Sequence, residues 1–199
     1  MVLILDRQHY GKPGQNDLGA GADLDGDGVV ELDEREANLT LLYINAAKQL
    51  AEAQGHTVYV IDAGWYSARH EQAIQIALSH PDDMCAYIAC HLNAGGGSYS
   101  LALHDYRSHG GENLAKAVAT EMSVKIPEIS RHLVRAASPD EWTNGYYTVK
   151  GIYAGPGNLS GVCFEPVFMD NVEHQALLTP EGLVLLGQIL ANACIAWGT

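Results

Sequence analysis

Val2-Leu3-Ile4-Leu5-Asp6 and Thr57-Val58-Tyr59-Val60-Ile61-Asp62, with a long helical stretch from Asp33 to Gln54 between them, decide the fold. Both short runs are rich in Val, Ile, Leu and Tyr, as buried strands are. In the intervening stretch Leu39, Leu42, Ala46, Leu50 and Ala53 recur at three- and four-residue steps, the period of a helix with one apolar face. Gly55 ends it. Strand, helix, strand implies a parallel pair with a crossover.

The pattern repeats down the chain. Further strands are expected at Ala86–His91, Tyr99–His104, Tyr146–Lys150 and Gly161–Pro166, and helices at Ala68–Ser79, Glu112–Ile126 and Pro180–Trp197. The last helix has Thr179 as N-cap and Pro180 in its first position. Residues 127–160 hold three prolines and are expected to be irregular with one strand inside. The sum is an α/β sandwich, one domain with a twisted, mostly parallel sheet of about six strands flanked by helices.

The chain has 199 residues, enough for one well-buried domain, and a net charge of −13 from 24 acids against 11 bases. Such a chain lacks the basic face that nucleic acid or an anionic membrane requires, so neither is expected as a partner. Cys85, Cys90, Cys163 and Cys194 form no C-x-x-C pair and fall in apolar segments, which suits buried thiols in a reducing compartment. The first strand begins at once, with no basic, apolar leader before it, so no signal peptide is expected. The apolar stretch Leu183–Trp197 carries Gly187, Gln188 and Asn192 and is expected to be a core helix.

Ligands of open α/β sheets bind beyond the carboxyl ends of the strands. His9 follows the first strand, His91 ends the third, Glu165 ends the run Gly161-Val162-Cys163-Phe164, and Glu34 opens the long helix. Two imidazoles and a carboxylate suit zinc and leave a fourth position open for water, with a further carboxylate as base. Their local sequences are more specific. Asp6-Arg7-Gln8-His9-Tyr10-Gly11, Glu34-Arg35-Glu36-Ala37-Asn38-Leu39, Tyr87-Ile88-Ala89-Cys90-His91-Leu92-Asn93-Ala94 and Val162-Cys163-Phe164-Glu165-Pro166 resemble, in order, the motifs of the type 3 N-acetylmuramoyl-L-alanine amidases.

That resemblance implies zinc on His9, Glu34 and His91, with Glu165 as general base and then acid, and hydrolysis of the amide between N-acetylmuramic acid and the L-alanine of peptidoglycan. With no signal peptide or wall-binding module expected, the chain resembles a single-domain phage endolysin, made in the host cytoplasm and acting on the wall after release, and a monomer is the expected state. A bacterial autolysin is the rival within that chemistry. Two other readings stand beside it: another zinc peptidase such as a carboxypeptidase, which needs a cation for a terminal carboxylate (Arg69, Arg107, Arg131 or Arg135), and a calcium-dependent wall-binding module. Trp65, Tyr66, Trp142, Tyr146, Tyr147 and Tyr153 are candidates for stacking on sugar rings.

A second metal signal lies in Asp23-Leu24-Asp25-Gly26-Asp27-Gly28-Val29-Val30-Glu31-Leu32-Asp33-Glu34, which fits the twelve-residue calcium loop, with Gly28 at the sharp turn. Glu34 is position 12 of that template and also the zinc candidate. With Glu34 assigned to zinc, calcium is left with Asp23, Asp25, Asp27, the Val29 carbonyl and Glu31, on a segment 23–34 inserted before the helix. His56, His70, His80, His132 and His174 are expected at the surface.

Overall fold

A computed structural model describes residues 1–140 and 146–199. Trp142, a sugar-stacking candidate, lies outside the described residues.

The described strands are β1 (Val2–Arg7), β2 (Thr57–Ile61), β3 (Cys85–Cys90), β4 (Ser100–Asp105), β5 (His132–Ala137) and β6 (Leu159–Glu165). They form one mixed sheet in the order β2-β1-β3-β6-β4-β5. β2, β1, β3 and β6 are mutually parallel, whereas β4 meets β6 antiparallel and carries β5 parallel to itself. The helices are α1 (Glu36–Ala53), α2 (Tyr66–Ser79), α3 (His109–Lys125), α4 (Tyr147–Lys150) and α5 (Pro180–Gly198).

The central strands are buried along both faces, which is why their sequences are unbroken apolar runs. Alternate residues feed two cores. Leu3, Leu5, Ile88, Val162 and Phe164 pack against α1, α3 and α5. Val2, Ile4, Tyr87, Ala89 and Cys163 face the other way, towards α2 and the turn Ile152–Ala154. The apolar length of α5 is thus used in the core, and Thr179 caps it, accepting from the Gly182 N–H at 3.2 Å.

Two segments differ from expectation. Tyr146–Lys150, expected as a strand, is a turn of helix, and the strand hidden in 127–160 is β5. β5 pairs only with β4, at the sheet's edge, and is largely half-exposed, so it lacks the apolar run that marks the central strands.

Among the described residues Arg69 is the largest fully buried side chain. Its guanidinium pairs with the buried Asp6 carboxylate and donates to the carbonyls of Arg7 (2.9 Å), Gly64 (2.6 Å) and Tyr10. Asp6 also accepts from Tyr87 Oη at 2.5 Å. Arg69 therefore fastens the end of β1 and the loop after it to α2. Arg69→Met should destabilise the protein by roughly 3–5 kcal/mol, because it strands a buried carboxylate, and lower Tm by on the order of 10 °C. Asp6→Asn combined with Arg69→Met should recover much of that loss in thermal melts; if the double variant is no better than the single one, the carboxylate is not the cause.

Candidate metal centre and its base

Because β1, β3 and β6 are adjacent and parallel, their carboxyl ends share one edge. His9 lies two residues past β1, His91 directly follows β3, and Glu165 is the last residue of β6. His9 has a φ of 62°, in the left-handed region that non-glycine residues seldom occupy. Such strain persists where the surroundings over-determine it and concentrates at functional sites.

The carboxylate that meets both histidines is Glu36. Its Oε1 stands 2.8 Å from His91 Nδ1 and 3.6 Å from His9 Nε2, and accepts from the Leu92 N–H at 3.1 Å. Its Oε2 accepts from the Ala20 N–H at 3.1 Å. Burial would raise the Glu36 pKa, but His91, His9 and the Ala20 amide outweigh it and hold the carboxyl low. Burial would lower His91, yet its bond to Glu36 and the charges of Glu36, Glu165 and Asp6 hold it high.

This corrects the assignment of Glu34. Glu34 precedes α1 and turns into the acidic loop, where Oε1 accepts from Leu24 N–H (2.5 Å) and Oε2 from Glu31 N–H (3.0 Å). Its carboxylate groups with Asp25 and Glu31, not with the histidines. A short ladder sets the difference: Gly21 bridges Arg35, and Glu36 N–H donates to the Ala20 carbonyl at 2.9 Å, which turns Glu36 inward. Gly19, with φ of 73°, leaves room, since a Cβ there would meet Glu36 Oε2 at 2.4 Å.

The donors fit a metal ion. The ligand atoms of His9, Glu36 and His91 lie within 4.8 Å of one another. Ligand atoms around a tetrahedral zinc stand about 3.3 Å apart, and the 2.8 and 3.6 Å here bracket that value. His91 meets Glu36 through Nδ1, and its Nε2 is buried without a hydrogen-bond partner.

Asp17, absent from the sequence reading, supports His9. Both its oxygens stand 3.1 Å from His9 Nδ1, and it accepts from Lys12 Nζ (2.6 Å) and Gly19 N–H (3.0 Å). Burial would raise its pKa, but Lys12, Gly19 and His9 together hold it far below the usual carboxylate range. A carboxylate behind a ligand histidine fixes its tautomer and orientation. Tyr43, fully buried in α1, donates to the His91 carbonyl at 3.1 Å.

Glu165 is buried beside this group. Asn93 Nδ2 donates to Oε2 at 2.5 Å and Tyr146 Oη to Oε1 at 3.1 Å. Burial is the largest influence on Glu165 and pushes its pKa up, against the pull of His91 and Tyr146. A carboxylate so placed takes up a proton more readily than an exposed one.

The calcium-loop residues form their own cluster. Asp23 accepts from the Gly26 (2.7 Å) and Gly28 (2.8 Å) amides, Asp25 from Asp27, and Asp27 from Val29. Gly28 has a φ of 89° at the sharp turn. Asp23, Asp25 and Asp27 form one potential ligand group, and Asp25, Glu31 and Glu34 another.

The cations named for a carboxypeptidase are engaged: Arg69 with Asp6, Arg107 with Asp105 at 2.7 Å, and Arg131 over the Tyr99 ring. His70 and His174 are buried, His70 against the Thr148 carbonyl and His174 accepting from the Phe168 N–H.

No protein-family model matches the chain. No curated protein matches it in sequence. Solved structures do match. Cwp6 from Clostridium difficile is similar with a TM-score of 0.73 and 18% identity, covering 100% of this chain, which spans only 29% of Cwp6. The N-acetylmuramoyl-L-alanine amidase AmiC2 of Nostoc punctiforme is similar with a TM-score of 0.69 and 15% identity, over 99% of this chain and 96% of that one. The catalytic domain of the CD27L endolysin, targeting Clostridia difficile, gives 0.62 and 16%, over 96% of this chain and 97% of that one. The chain therefore shares its fold with N-acetylmuramoyl-L-alanine amidases.

Proposed function

We propose that the protein is a zinc-dependent N-acetylmuramoyl-L-alanine amidase that cleaves the amide between N-acetylmuramic acid and L-alanine in peptidoglycan. The observation that carries this reading is the convergence of His9, Glu36 and His91 beside the buried Glu165 on one sheet edge. The shared fold and the four motifs support it. His9, Glu36 and His91 hold the zinc. When bound, zinc supplies a Lewis acid that polarises the scissile carbonyl and acidifies water.

The chain's own groups do the rest. Glu165 Oε1 and Oε2 are fixed by Tyr146 and Asn93, so the carboxylate is oriented before substrate arrives. It takes the proton of the attacking water and returns it to the leaving L-alanine nitrogen. Asp17 and Tyr43 keep the two histidines aimed. The test is release of new L-alanine amino termini from purified peptidoglycan, lost with chelator and restored by zinc. Release of reducing sugar ends or of D-alanine instead would overturn the reading.

We place the enzyme among the endolysins, made in a host cytoplasm and acting on the wall after release. Four buried, unpaired thiols suit synthesis in a reducing compartment. Calcium is assigned to Asp23, Asp25, Asp27, the Val29 carbonyl, Glu31 and, in place of its zinc role, Glu34. Binding to the folded state alone would add about 2.7 kcal/mol at a hundred times the Kd. Calcium should therefore raise Tm of the parent protein by several degrees and leave that of Asp25→Ala unchanged. An equal rise in both variants would remove the ion from the loop.

A further inference from the structure

The segment Tyr146-Tyr147-Thr148-Val149-Lys150-Gly151-Ile152-Tyr153 does two things at once. Tyr146 reaches Glu165. Tyr147, Lys150 and Tyr153, spaced by three through α4 and the 3-10 turn Ile152–Ala154, line one wall of a pocket of about 380 Å³. Tyr66, in the first turn of α2, also lines it and stacks on Tyr147 with ring centroids 6.4 Å apart and planes 27° from parallel, so the two rings form one aromatic surface. Arg107, just past β4, covers the Tyr153 ring at 4.2 Å.

The floor is built. His70 Nε2 meets the Thr148 carbonyl at 3.2 Å, and burial holds its pKa low. Gly151 has to be glycine, because a Cβ there would stand 2.1 Å from His70 Nδ1.

The charge of the pocket opposes that of the molecule. Among the described residues no acid lines it, although the chain carries 24 acids against 11 bases. Lys150 forms no salt bridge among the described residues. Arg107 spends Nε and Nη2 on Asp105, leaving Nη1. Flat aromatic walls and an uncommitted ammonium suit a planar, anionic chain segment.

We propose that this pocket is the subsite for an acidic residue of the peptide stem, its carboxylate on Lys150 and its peptide planes against Tyr66 and Tyr147. The inference rests on the amidase reading and adds a preference: stems with a free α-carboxylate on the second residue over stems with a carboxamide there. Tyr146 and Tyr147 are consecutive, with Cα atoms about 3.8 Å apart, so the pocket starts one residue from the group that holds the base.

The test is calorimetric binding of two product peptides to the full chain, L-alanyl-γ-D-glutamyl-L-lysine and its α-carboxamide counterpart. The acid should bind about tenfold more tightly than the amide, as one charge-assisted hydrogen bond allows. Lys150→Met should remove that difference by weakening only the acid, and Tyr147→Ala should weaken both. Equal affinities for acid and amide, an equal loss for both in Lys150→Met, or no binding of either overturns the subsite. Product binding needs no turnover. Selective binding by a protein that releases no L-alanine ends would sink the amidase reading alone, and cleavage without selectivity would sink the subsite alone.

Discussion

Glu36→Gln should strip the protein of zinc while Glu34→Gln retains it. The amide keeps the shape of the side chain and one of its two oxygens, so it can still accept from either the Leu92 or the Ala20 N–H, though not from both. What it loses is the charge that faces both His9 and His91. Even an outer group such as Asp17 typically changes metal affinity by about 10–100-fold, so direct loss of a ligand should exceed ~100-fold. Metal content after dialysis against a weak chelator measures it. Glu34→Gln should behave as wild type in zinc content and lose its calcium response instead. The reverse pattern would return Glu34 to the zinc site and break the geometric argument for Glu36.

Glu165→Gln should hold zinc at full stoichiometry and release L-alanine ends about 10²–10⁴ times more slowly. The substitution preserves the shape of a side chain that Asn93 and Tyr146 already grip, and removes only the site for a proton. Near wild-type turnover in a zinc-loaded variant would mean that another group moves the proton. A loss of zinc together with activity would mean that Glu165 is part of the metal shell.

The sheet was legible because strands buried on both faces must be apolar throughout, as β1, β3 and β6 are. The carboxyl-end rule then located His9, His91 and Glu165 on one edge. Tyr146–Lys150 misled because Tyr, Thr and Val favour strands only as residues that fit a pleated, half-buried surface. Here the segment lies off the sheet, with Tyr146 on Glu165 and Tyr147 on Tyr66. Glu34 misled because the resemblance to the family's motif places it four residues before Asn38, whereas the calcium template had already claimed it as position 12. The conflict itself was the signal. With Glu34 consumed by the loop, the next carboxylate is Glu36, at the first turn of α1. Asp17 had no signal at all, being an acid in an irregular stretch whose partners are distant in kind and fixed only by folding.

The bridge between Gly21 and Arg35 has a topological consequence. The thirteen residues between them leave and re-enter the fold through one pinched neck. Joining the ends of a free loop of that size costs about 2 kcal/mol, and doubling its length adds only ~0.6. Since the neck is closed by backbone pairing at Gly21–Arg35 and Ala20–Glu36, that entropy is settled without any help from the loop's contents. Length between the two anchors becomes nearly a free variable, and the neck is a splice port where a longer segment can be carried without displacing Glu36.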